Sequence, residues 1–286
     1  MQQPQPQMLL PQTINAALDA LARPGAVAVA GATWVMRTVP RAPRHPEAPI
    51  WVALSGIAPL HTITEDAEGL RIGAMATHAQ LARRLAGRPD LGALAQAAGQ
   101  SANPGVRNLA TLGGNLCTSD FAAADLVPAL LALDAAVCLA TPQGHKALPV
   151  ATFLERRATL EPYLLTSVFL PKRAQLSVHE RLTLRRAGDY PVVALSIGIA
   201  RAADGEIARA RFAVGALEGA ARRWPAMEAA VQGTRPDPSQ VESLAQARLG
   251  GFAPRDGLDA PGWYRLRILP TLARRAFEQL EREGHA

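Results

Sequence analysis

Cysteine is nearly absent from this chain: Cys117 and Cys138 are the only two in 286 residues. Two thiols cannot by themselves hold an iron–sulfur cluster or a four-coordinate structural zinc. They read as reduced side chains of a cytoplasmic protein. Aromatic residues make up only 5% of the chain, so Ala, Leu and Val must build the core. No uncharged apolar stretch reaches membrane-spanning length, which excludes a transmembrane helix. His45, His61, His78, His145, His179 and His285 show no H-x-x-x-H or H-x-E metal spacing, and His78 and His145 read as ordinary helix-start and loop residues. A G-x-S-x-G nucleophile elbow, a Walker A loop and the G-x-G-x-x-G fingerprint after a strand are all missing. No residue stands out as acid, base or nucleophile. The net charge of +6 invites a nucleic-acid reading. The arginines are scattered, however, without a basic run or interleaved aromatics for base stacking. They read as solvated side chains.

What is present is a chain long enough for two domains, with 49% hydrophobic residues to fill their cores. Met1–Pro11 is Gln/Pro-rich and has no charged region leading into an apolar core, so it is not a signal peptide. Residues 1–12 read as a flexible arm. Thr13 caps a helix over Thr13–Leu21, and Ala26–Ala30 has the length and composition of a strand. A Pro-rich segment, 40–49, precedes a strand at Ile50–Leu54. Leu70–Ala74 reads as a strand, Thr77 caps a helix to about Leu85, and Leu91–Ala98 is a further helix. A helix at 124–133 and strands at Ala136–Ala140 and Leu164–Leu170 follow. Composition changes after Pro171, so residues 13–172 and 173–286 read as two domains. The second begins with the Arg-rich alternation at 181–186 and a strand at Val192–Ala200. A hairpin at Asp204-Gly205, compatible with a type I′ turn, returns through Ile207–Val214. Helices follow at Pro225–Gln232, Ser239–Leu249 and Leu266–Arg282. Strands followed by helices indicate an α+β module.

The densest local signal is Thr111-Leu112-Gly113-Gly114-Asn115, with Thr118 three residues on. Paired glycines permit positive φ and close approach to a ligand, and Asn115 both donates and accepts. Amides gathered in such an ordered turn suit a diphosphate. Alone, a glycine pair is most often just a turn. Here it is flanked by Val106-Arg107-Asn108 before it, and by Asp125 and the run Ala129–Ala135 after it. Over Val106–Ala135 the chain resembles the flavin-binding medium subunits of the molybdenum hydroxylases, the family of xanthine dehydrogenase, carbon monoxide dehydrogenase and bacterial aldehyde oxidoreductases.

The resemblance implies a two-subdomain FAD-binding domain of the PCMH type, followed by a smaller domain with an antiparallel sheet packed on helices. It also implies a second phosphate loop at Val29-Ala30-Gly31-Ala32-Thr33-Trp34-Val35, where the family reads A-G-G-T. Ala32 replaces a glycine there, at a cost of roughly 1–2 kcal/mol if its φ is positive. Trp34 stands at a usually polar position, and Phe121 where proline is common. Asp125 matches the acid that hydrogen-bonds the flavin's sugar-like chain, while an N-cap role is the local alternative. Leu165 would pack near the ring system. The family lysine falls at Arg181 or Leu182, and an Arg there does not reproduce a compact ammonium. Arg185 and Asp189 suggest a structural ion pair, and Tyr190 either a ring shield or a half-buried strand residue.

By the same resemblance, electrons reach this FAD from a molybdopterin-binding large subunit through a [2Fe-2S] small subunit. They leave to NAD⁺, a quinone, O₂ or another acceptor, in a heterotrimer or its dimer. A rival reading is a flavin-free assembly scaffold, signalled by Ala32, Trp34 and the 181–182 region. A third is a stand-alone nucleotide- or nucleic-acid-binding protein.

Overall fold

The structure is a computed structural model that describes residues 7–38, 50–119, 121–185 and 189–284. Three sheets follow one another along the chain. The first is small and parallel. It comprises β1 (Gln7–Leu9), β2 (Ala26–Val29) and β3 (Ile50–Ala53) in the order β1-β3-β2. Helix α1 (Ile14–Leu21) joins the first two strands, and the Thr13 hydroxyl accepts the Ala16 amide at 3.2 Å, as a threonine before an apolar run predicts. Ala17, Leu18 and Ala20 bury against Val52, Leu54, Ile57 and Leu60. Residues 7–9, placed in the flexible arm by the sequence, instead pair with Ile50–Val52 and satisfy that strand's open edge. The Pro-rich 40–49 segment and the first half of the arm, residues 1–6, lie outside the described residues. Short α2 (Val35–Thr38) follows β2.

The second sheet is antiparallel, in the order β4-β5-β8-β6-β7. Its strands are β4 (Ile63–Glu65), β5 (Gly69–Gly73), β6 (Ala136–Thr141), β7 (Gly144–Pro149) and β8 (Leu164–Pro171). Between and around them run α3 (His78–Arg84), α4 (Gly92–Gln100), α5 (Pro104–Leu109), α6 (Leu112–Cys117), α7 (Leu126–Ala132) and α8 (Val150–Arg156). Thr77 and Gln80 form a full capping box on α3. Ile72, Leu81, Leu94, Leu112, Leu116, Leu130 and Phe153 are fully buried in one cluster, each worth about 1.5–3 kcal/mol of apolar burial.

The third sheet is antiparallel and lies in the order β12-β11-β10-β9, with β9 (Leu176–Thr183), β10 (Pro191–Arg201), β11 (Ile207–Gly215) and β12 (Arg222–Arg223). Helices α9 (Pro225–Val231), α10 (Pro238–Gln246) and α11 (Gly262–Gly284) accompany it. Phe212 stacks on Phe277 at 6.0 Å and meets Trp224 edge-on at 6.5 Å in this core. The hairpin at Asp204-Gly205 is not type I′. Only Gly205 has positive φ (88°), and the ladder shifts register between Ala200 and Arg201. A turn closed by the Gly205 amide on the Ala202 carbonyl, followed by a left-handed glycine, fits three-residue hairpin geometry.

Candidate cofactor cleft

A cleft of about 1130 Å³ opens between these units, lined from the first sheet by Ala30–Val35 and from the second by Thr111, Gly113, Gly114 and Asn115. Gly31 explains how two segments so distant in sequence meet. A Cβ on Gly31 would stand 1.8 Å from the Leu109 carbonyl oxygen. Only glycine lets this loop lie against the end of α5, one residue short of the Ala110–Thr111 approach to α6. Ala32 does take positive φ, 58°. The amides of Gly31, Ala32 and Thr33 make no hydrogen bond among the described residues, so this loop presents main-chain donors to the cleft.

The Gly113-Gly114 segment works differently from its sequence expectation. It is not a loop with left-handed glycines but the first turn of α6, and neither glycine has positive φ. Its amides are already spent. Leu112 donates to the Ala76 carbonyl at 2.9 Å, Gly113 to Ala74 at 2.8 Å, Gly114 to the Thr111 hydroxyl at 3.1 Å and Asn115 to the Thr111 carbonyl at 2.9 Å. The glycines are needed for size. A Cβ on Gly113 would lie 2.9 Å from the Ala74 Cβ, and one on Gly114 3.0 Å from Thr111 Oγ1. What α6 offers the cleft is therefore side chains. The Asn115 amide oxygen accepts the Leu126 amide at 3.2 Å and caps α7, while its Nδ2 donors have no partner among the described residues. Thr118 Oγ1 donates to the Gly114 carbonyl at 2.7 Å and keeps acceptor capacity at the wall.

Asp125 also lines the cleft, and it makes no capping hydrogen bond. Its Oδ1 is buried and unmatched by any hydrogen bond, 3.3 Å from Arg181 Nε and 4.0 Å from His179 Nε2. Burial raises its carboxyl to about 7 against the opposing pull of the Arg181 charge. His179 donates or accepts at Ser196 Oγ, 2.8 Å away, and burial with Arg181 nearby lowers it to about 3. Arg181 is not on the cleft wall. It stands behind Asp125, tied to the Gln100 and Asp189 carbonyls. Val29 likewise lies outside the wall, its carbonyl accepting the Leu54 amide at 2.9 Å. Leu165, buried on β8, lines it.

No Arg185–Asp189 ion pair forms among the described residues. The Asp189 carboxylate accepts the Tyr190 amide at 3.1 Å instead. Asp120 and residues 186–188 lie outside the described residues. Trp34 and Phe121, the two unusual aromatics, pack on each other at 4.5 Å between centroids, and Phe121 meets Tyr190 edge-on at 5.2 Å. The Arg37 guanidinium lies over Trp34 and donates to the Tyr190 hydroxyl. Sequence reasoning missed His78, Ser101, Asn103, Cys117 and Tyr163 as lining residues. They belong to separate elements, and no local pattern joins them.

The fold and this cleft define a class: an α+β protein in which a donor-rich glycine loop and a side-chain-bearing helix turn share a space large enough for a dinucleotide. Residues 4–173 match the family described as FAD binding domain in molybdopterin dehydrogenase, and residues 181–280 match the CO dehydrogenase flavoprotein C-terminal domain. The first match spans more than half of the chain, and the chain belongs to that family: it is an FAD-binding oxidoreductase subunit of the molybdenum hydroxylase type. Among its relatives, the nicotine 6-hydroxylase medium subunit of Paenarthrobacter nicotinovorans is 28% identical over 229 residues, 78% of this chain and 79% of that protein. The xanthine dehydrogenase FAD-binding subunit of Escherichia coli O157:H7 is 27% identical over 235 residues, 80% of each. Solved quinoline 2-oxidoreductase from Pseudomonas putida 86 matches with a TM-score of 0.87 at 24% identity, covering all of both chains. Carbon monoxide dehydrogenase from Hydrogenophaga pseudoflava matches with 0.88 at 23%, covering 98% of each. These two likenesses establish the fold, and the two family matches divide it into an FAD-binding domain followed by a smaller C-terminal domain. Among the described residues no helix is long and apolar enough to cross a membrane.

Proposed function

We propose that this chain carries FAD as the electron-transfer subunit of a complex whose molybdopterin and [2Fe-2S] centres reside in separate large and small subunits. Residues 13–172 would hold the cofactor and 173–286 would close the cleft from the other side. The observation that carries the reading is the meeting of unpaired Gly31–Thr33 amides with Asn115 and Asp125 in one cleft. The first would hold the diphosphate; the Asn115 Nδ2 group, Thr118 and the Asp125 carboxyl would hold the polyol, with Arg181 positioning Asp125. Leu165 would provide an apolar wall to the ring system, and Trp34, Phe121 and Tyr190 an aromatic rim.

Bound FAD supplies the redox chemistry, and the chain supplies binding, orientation and electrostatics. The chain's two cysteines are both free, too few for a cluster, so the clusters would reside in another chain, from which electrons would arrive before leaving to a soluble acceptor. Relatives carry names such as "medium subunit" and "complex subunit alpha", which support a multi-subunit assembly, here read as a cytoplasmic heterotrimer or its dimer.

Purification of the native complex tests this. The expected result is one flavin per copy of this chain, with molybdenum and iron in co-purifying larger and smaller chains. A colourless but intact complex would instead favour a scaffold. A stable monomer with salt-sensitive DNA binding would overturn the assignment.

A further inference from the structure

His78 opens α3, is 3% exposed and lines the cleft. Its Nδ1 lies 2.6 Å from Ser101 Oγ, and that hydroxyl reaches the Ala98 carbonyl at 3.2 Å. A hydroxyl has one proton to give. With it directed to Ala98, as that contact allows, Nδ1 carries the ring's proton and donates to Ser101, which leaves Nε2 an acceptor. Nε2 has no hydrogen-bond partner among the described residues. Of the buried side-chain atoms in that condition, only His78 Nε2 and Asp125 Oδ1 belong to cleft-lining residues. Asp125 is accounted for by the cofactor reading; His78 is not.

Buried polar atoms are paired as a rule, and an exception calls for a ligand or a function. Burial, and next the Arg107 charge, lower the His78 ring to about 4, against a smaller upward pull from the Thr111 backbone. It therefore stays neutral near pH 7 and offers no cation to a phosphate. A neutral acceptor suits a hydroxyl or an amino group.

Resting on the reading of this cleft as an FAD site, we infer that His78 Nε2 accepts a hydrogen bond from a hydroxyl or amino group of bound FAD, with Ser101 fixing the ring tautomer. The dyad is a cofactor-binding element separate from the Gly31 loop and from Asn115–Asp125.

Calorimetric titration of the flavin-stripped full-length chain with FAD tests this. His78→Asn keeps a polar atom for Ser101 and loses the Nε2 acceptor; it should weaken FAD binding about tenfold, the equivalent of one hydrogen bond to a buried group. His78→Gln, whose amide oxygen reaches the Nε2 position, should restore affinity to within about threefold of wild type. Nitrogen NMR of the unsubstituted chain reads the same point without a variant: the His78 Nε2 resonance should shift when FAD is added. Wild-type affinity in His78→Asn, or an Nε2 resonance indifferent to FAD, would overturn the inference and leave the proposed function standing. Failure of the wild-type chain to take up FAD at all would overturn both.

Discussion

The Gly31 loop and the Thr111–Asn115 turn look alike in sequence, each a cluster of glycine, threonine and small residues, yet they reach the cleft by opposite means. In the first, glycine allows a backbone-to-backbone approach to Leu109 and leaves three amides unpaired. In the second, glycines let α6 seat against Ala74 while every early amide is consumed by Ala76, Ala74 and Thr111. One segment presents main chain, the other side chains. A glycine cluster thus signals close approach in both cases, and only the fate of its N–H groups decides whether it can hold an anion.

Paired substitutions should separate these roles most strongly. Gly31→Ala must displace the Leu109 carbonyl, and moving the loop moves its donors. FAD affinity should fall about 100-fold or more, with about 3 kcal/mol of stability lost to overpacking. Gly113→Ala places its methyl against the Ala74 side chain, at 2.9 Å. It should cost about 1–3 kcal/mol of stability with FAD affinity within about threefold of wild type once folded, because no cleft donor is displaced. Titration calorimetry and denaturant unfolding on both variants read the contrast. Equal losses of affinity would erase it.

The same division predicts how the two sides respond to pH. The loop's amides do not titrate; the opposite wall and the groups packed behind it do. His78 and His179 are lowered to about 4 and about 3 from 6.5, chiefly by burial. Each therefore contributes stability that is full above pH 6.5 and is lost as pH falls toward the folded value. Asp125, raised from 3.8 to about 7 by burial, runs the other way. Its contribution is full below pH 3.8 and is lost as pH rises through 7. Between pH 7 and pH 5 each histidine should cost about 2 kcal/mol and Asp125 should return about 2, for a net loss of about 1–2 kcal/mol. Unfolding midpoints of the flavin-free chain at the two pH values check this. His78→Asn should flatten the profile, and a profile unchanged in that variant would mean the ring is not buried neutral.

How much of this was legible in the sequence follows the same line between local and tertiary causes. Thr13 and Thr77 were readable as caps because a cap is decided within four residues. β2, β3, β6 and β8 were readable as apolar runs, and β5 from its alternation. The convergence of the Gly31 and Thr111 segments was reachable only through family resemblance. Helix α6 was misread as a loop because two glycines are poor helix formers, and what holds it are acceptors on Ala74 and Ala76, set by the fold. Strand β1 was missed because its partner Ile50–Val52 lies beyond a helix and a second strand. Arg181 could be placed near the cleft from its motif, but not behind Asp125. His78 was dismissed as a residue after a cap; its meaning depends on Ser101, on another helix's end, which no spacing rule connects to it.

The finest test of the comparison concerns Ala32, where the donor loop departs from glycine. At φ 58° an alanine bears about 1–2 kcal/mol of left-handed strain, while a glycine would restore about 0.4–1 kcal/mol of entropy to the unfolded chain. Ala32→Gly should therefore stabilise the protein by no more than about 1.5 kcal/mol, a rise of at most about 3–4 °C in Tm for a chain this long. Because Ala32 already lines the cleft with its amide unpaired among the described residues, FAD affinity should change by less than about twofold. A tenfold tighter complex would show instead that the strain is felt on binding, so that the donors of this loop are not preset and the loop, like α6, adapts to what the rest of the fold demands. Stabilisation without tighter binding would mean that Gly31, by its contact with Leu109, has already fixed those donors in place.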